Sequence, residues 1–119
     1  MGTLKKFDND QISIRKTILL GFSQGAAMAI DAGCNLNFGL IVACSGYPHP
    51  NWVPGEKCPP LIISHGLFDD VVPIDASRTI YEKVKSKSSE FCELLEFDGF
   101  HQIDSNLIDI ISSNIRNIF

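Results

Sequence analysis

Gly21-Phe22-Ser23-Gln24-Gly25 is the stretch that most restricts what this chain can fold into. It joins an apolar run, Thr17-Ile18-Leu19-Leu20, to a run of small helix-forming residues, Ala26-Ala27-Met28-Ala29-Ile30. The first run suits a buried strand of a parallel sheet and the second the start of a helix. A serine at the apex of a tight strand-to-helix turn is the setting of a nucleophile elbow. The glycines have a steric reason, because side chains there would collide where strand and helix cross. A second reading stays open on these residues alone, in which the serine merely caps the helix.

Partners for a serine nucleophile follow in the order such chemistry needs, first an acid and then a histidine, each on a loop after a later strand. Pro60-Leu61-Ile62-Ile63-Ser64-His65-Gly66 is an apolar run that ends just before Asp69 and Asp70. Phe91-Cys92-Glu93-Leu94-Leu95-Glu96-Phe97 alternates over part of its length and leads through Asp98-Gly99-Phe100 to His101. Ser23, Asp69 and His101 thus fall at the carboxyl ends of three expected strands, where the ligand sites of open α/β sheets collect. Asp70 competes with Asp69, since neighbours on an extended loop point different ways and one of them reaches the histidine. His65 and His49 read as structural and loop residues respectively.

At these residues the chain resembles the phospholipase/carboxylesterase family of α/β-hydrolases, which includes acyl-protein thioesterases. The resemblance rests on G-F-S-Q-G-A-A-M (21–28), H-G-x-x-D-x-x-V-P (65–73) and G-x-H (99–101), in that order. It runs from about Leu4 to the C-terminus. It implies Ser23 as nucleophile, Asp69 as acid and His101 as base, with the spacing H-G-x-x-D favouring Asp69 over Asp70. It also implies the C-terminal half of the family domain, because only sixteen residues precede Thr17. The strands, helices and second oxyanion-hole loop that come first in the family are then expected to be missing, with Met1–Arg15 as the tail of a preceding helix. The backbone N–H of Gln24, at the helix N-terminus, is the expected oxyanion donor.

The expected fold is α/β, a single domain over 1–119 with four mainly parallel strands and flanking helices. Strands are expected near 17–22, 39–45, 61–65 and 91–97. Gly33 is expected to end the helix after the elbow. Asp75 is expected to cap a helix over 76–87, with Ala76, Ile80 and Val84 on one face. A last helix over 105–118 places Leu107, Ile111, Ile115 and Ile118 on its inner stripe. Gly46 to Cys58 reads as a loop holding Tyr47, His49 and Trp52.

The charge of −4 argues against nucleic acid or an anionic membrane surface as partner. No apolar stretch has transmembrane length, and the N-terminus lacks the apolar core of a signal peptide. A cytoplasmic location follows as the default. Cys34, Cys44, Cys58 and Cys92 show no metal-ligand spacing and are expected as reduced thiols. The chemistry calls for no cofactor and no metal; its substrate is an ester or thioester on a small molecule or an acylated protein. With no earlier strand to cover it, the apolar edge of strand 17–22 is expected to promote self-association.

Overall fold

The computed structural model describes residues 17–34, 36, 38–50, 52–54, 58–88 and 91–118, with side chains of 114–118 left aside. The helix tail expected over Met1–Arg15 lies outside these residues. Along the chain run β1 (Ile18–Phe22), α1 (Gln24–Gly33), β2 (Leu40–Cys44), β3 (Leu61–Gly66), α2 (Ile74–Lys87), β4 (Cys92–Phe97) and α3 (Leu107–Ile118). The four strands form one parallel sheet in the order β1-β2-β3-β4.

The apolar runs become strands because they are covered on both faces. Ile41 and Ala43 of β2 and Leu61 and Ile63 of β3 pack with Ala26, Ala29 and Ile30 of α1 and with Ile80 and Val84 of α2. Their alternates Leu40, Val42, Cys44 and Ile62 face the other way, onto Leu107 and Ile111 of α3. Every residue of the two central strands is buried, so they read as continuous apolar runs. Two helices thus lie on one face and one on the other. This is the layered α/β architecture expected from the pattern.

The structure corrects the reading at two helix ends. The second helix begins at Ile74 with Pro73, not Asp75, in the cap position, and no side chain caps it. Proline suits that place, since its fixed φ leads into the helix and its missing N–H costs nothing there. Asp75 lies in the first turn instead, where its carboxylate meets Arg78 at 3.4 Å. Ser77 rather than Ala76 joins Ile80 and Val84 on the buried face, a consequence of its bond to His65 described below. Gly33 does end α1, but its φ is not positive. A Cβ at Gly33 would lie 2.8 Å from Ile41 Cδ1 and 3.1 Å from Leu19 Cδ2, so glycine is required there by helix–sheet packing.

The last helix starts at Leu107, two residues later than expected. Leu107 and Ile111 occupy its inner stripe, while the side chains of Ile115 and Ile118 lie outside the described residues.

Candidate active site

Ser23 stands between the end of β1 and the start of α1 with φ 58° and ψ −117°. A non-glycine residue held there stores about 1–3 kcal/mol of strain and persists only where its surroundings insist on it. Here they do. The Ser23 N–H donates to the Cys44 carbonyl at 2.8 Å, and the Ser23 carbonyl accepts from the Ala26 and Ala27 amides at 3.0 and 3.1 Å. A Cβ at Gly21 would lie 2.3 Å from the Gly25 carbonyl oxygen, so strand and helix cross too closely for any other residue. The hydroxyl makes no capping bond to the helix, which removes the capping alternative.

It turns instead to His101. Ser23 Oγ lies 3.0 Å from His101 Nε2, and His101 Nδ1 lies 2.7 Å from Asp69 Oδ2. Because Asp69 accepts, Nδ1 carries the proton and Nε2 is left to accept from the serine hydroxyl. The His101 ring also packs on Phe22, centroid to centroid 4.9 Å. The Asp69 side chain is fully buried, and His101 remains 18% exposed. Asp70 is exposed, and the carboxylate that meets His101 is that of Asp69.

The Asp69 carboxylate is held from three sides. Oδ1 accepts the amides of Val71 and Val72, both at 2.8 Å. Burial pushes the carboxyl upward, but the hydrogen bonds from His101, Val72 and Val71 outweigh it and hold Asp69 below its ordinary value. A carboxyl so depressed contributes stability that is whole above its unfolded pKa and is lost as pH falls through the lower, folded one. The stability difference between the chain and an Asp69→Asn variant, read from urea unfolding, should therefore hold steady down to about pH 5 and narrow below about pH 4. A difference unchanged between about pH 6 and 3 would contradict this assignment of the bonds.

His65, read as structural, is fully buried within β3. Its Nε2–H donates to the Val72 carbonyl at 2.7 Å, and its Nδ1 accepts from the Ser77 hydroxyl at 2.6 Å. Nε2 also lies 3.3 Å from Asp69 Oδ2. The ring therefore ties the start of α2 to the turn that presents Asp69. The Ser77 partner, twelve residues away, has no counterpart in the sequence motifs.

Ser23 and His101 follow the two outermost strands, which are about 14 Å apart across a four-stranded sheet. The loop after β4 closes that gap by running back over the strand ends. Phe68 N–H bonds the Gly99 carbonyl at 2.9 Å and Leu67 N–H bonds that of Phe97 at 2.9 Å. A Cβ at Gly66 would lie 2.3 Å from the Phe100 carbonyl oxygen, so glycine lets the loop pass. Further on, Ser45 Oγ donates to the Gln102 carbonyl at 3.4 Å, and Ser45 itself sits at φ 54°. Gly66 had a signal in H-G-x-x-D; Ser45 had none. Gln24 is the first residue of α1 and is exposed beside Ser23, with its N–H in the turn where amides have no intrahelical acceptor. Among the described residues no group of His, Cys, Asp and Glu could hold a metal ion, and no helix is long and apolar enough to cross a membrane.

Comparison with known proteins agrees with this architecture. Acyl-protein thioesterase 1 of Yarrowia lipolytica is 25% identical over 128 residues, spanning 95% of this chain and 56% of that protein. The crystal structure of esterase PE8 superposes with a TM-score of 0.81 at 30% identity, covering 98% of this chain and 56% of that one. Acyl-protein thioesterase 2 of Zea mays, at 19% identity and a TM-score of 0.70, covers 87% and 56% and speaks for the fold alone. The chain thus spans little more than half the length of these relatives. Residues 3–119, nearly its whole length, match one family throughout, and the chain belongs to it: the phospholipase/carboxylesterase family of α/β-hydrolases.

Proposed function

We propose that this chain carries the catalytic triad of a serine hydrolase that cleaves carboxylic esters or thioesters through an acyl-enzyme. The observation that carries the proposal is the unbroken line from the strained Ser23 through His101 to buried Asp69, at 3.0 and 2.7 Å. His101 Nε2 takes the hydroxyl proton as Ser23 Oγ attacks the acyl carbonyl. Asp69 holds the tautomer and stabilises the imidazolium that forms. The Gln24 N–H donates to the developing oxyanion. His101 then returns its proton to the departing alcohol or thiol, and a water activated by the same ring releases the acid. The thioesterase among the relatives supports acylated proteins as one substrate class.

A second reading is a non-catalytic interaction module that retains these residues, favoured by an exposed apolar side chain on β1. In that reading the outer edge of β1, which bears the exposed Leu20, is the surface for self-association. Labelling with a fluorophosphonate probe separates the two. The enzyme reading expects labelling of the folded chain and its loss in both Ser23→Ala and His101→Ala. A folded chain that takes up no label favours the module.

A further inference from the structure

Two cysteines far apart in the chain meet in the core. Cys34 caps the C-terminus of α1, and Cys58 lies in the segment entering β3. Their Sγ atoms are 2.8 Å apart, closer than two unbonded sulfurs ordinarily approach. Both side chains are buried, at 3% and 0% exposure, in the same cluster as Ile30, Phe38 and Trp52. A disulfide needs its sulfurs brought to about 2.05 Å with the two Cβ atoms facing each other. Here a small movement of the side chains would close that distance. We propose that Cys34 and Cys58 are a disulfide-forming pair that staples the end of α1 to the strand carrying Asp69 at its tip.

The two sulfurs share one hydrogen bond in the folded core. The hydrogen bond from Cys34 holds the Cys58 thiol below its ordinary value against the opposing effect of burial, while the same contact and burial push Cys34 up. Either sulfur can open the exchange, and the route through Cys58 gives the same disulfide as the route through Cys34. With a low-molecular-weight disulfide as oxidant, the Cys58 thiolate bonds to one of its sulfurs, breaks the S–S bond and expels a thiolate. Cys34 then attacks the Cys58 sulfur of this mixed disulfide. Its proton goes to the second departing thiolate. Two protein thiols are oxidised to one disulfide, and the small disulfide is reduced to two thiols. Because both sulfurs are shut in once folding is complete, the exchange takes place as the chain folds.

The other two cysteines are set apart from this. Cys44 faces the α3 side of the sheet, and burial pushes its thiol up to about 11. Cys92 shares the cluster, and burial pushes its thiol up to about 12.

The test is to refold the chain in a glutathione redox buffer, alkylate it in denaturant and map its peptides by mass spectrometry. The expected result is a cross-linked Cys34–Cys58 peptide pair with Cys44 and Cys92 alkylated. The melting temperature should fall by about 10 °C on reduction, as for a loop of this length. A Cys34→Ser/Cys58→Ser double variant should show no response to reductant. Four alkylated cysteines after refolding, or a cross-link of Cys58 to Cys92, would overturn the proposal. The peptide map is read on the unaltered chain, so it stands even if the double variant folds poorly.

Discussion

Replacing Asp69 by asparagine is expected to lower ester turnover on the order of 10⁴-fold while the chain still folds. The reason lies in the two backbone amides that fix one side of the carboxylate. Val71 and Val72 both donate to Oδ1, so the amide oxygen of an asparagine must take that place. Its NH₂ group then faces His101 Nδ1 where Oδ2 now accepts at 2.7 Å. Two donors cannot face each other. The ring must move its proton to Nε2, and Nε2 can then no longer accept from Ser23. The check is kcat on a p-nitrophenyl ester beside a thermal melt of each protein. A folded Asp69→Asn variant with turnover within about tenfold of the parent would remove Asp69 from the mechanism.

The two glycines of the elbow are expected to part company, although the sequence pattern treats them alike. At Gly21 a Cβ would lie 2.3, 2.5 and 2.7 Å from the Gly25 O, the Gly25 C and the Ala26 N. All three are backbone atoms of the first helical turn and cannot swing aside. Gly21→Ala should therefore cost about 3 kcal/mol or more of stability and lose fluorophosphonate labelling, because α1 must shift away from β1. At Gly25 a Cβ would meet nothing within 4 Å. Gly25 is the second residue of α1, and in a helix interior alanine is favoured over glycine by about 0.8–1.0 kcal/mol. Gly25→Ala should leave stability unchanged or raise it by up to that amount. Urea denaturation of the two variants decides the matter, and equal losses would show that the close approach at Gly21 is misjudged.

Much of the architecture was legible because its causes are local. The β-branched runs at 40–44 and 61–66 could be read as buried strands, and the alanines after Ser23 as a helix. The order Ser23, Asp69, His101 could be read because each follows its own strand. What could not be read depends on residues remote in the chain. The residues themselves left Asp69 and Asp70 level; the amides that hold Asp69 come from a turn whose closure depends on buried His65 and on Ser77. The backbone of Ser45 is set by its bond to Ser64 in the neighbouring strand, at 2.7 Å. Asp75 was misplaced because acidic residues suit both the cap and the first turn of a helix.

The passage of the β4 loop across the strand ends bears on how the chain comes to life. Ser23 and His101 are 78 residues apart, and their meeting requires β2 and β3 to be seated between the strands they follow. A partly assembled sheet holds a serine with no base, and a register slip at any of the three strand junctions carries the base out of reach. In the proposed enzyme, hydrolysis is thus confined to the finished molecule. A chain in which β2 and β3 are not yet seated holds no base beside Ser23, so recovery of the proposed turnover on refolding is expected to keep time with the slowest step of assembly.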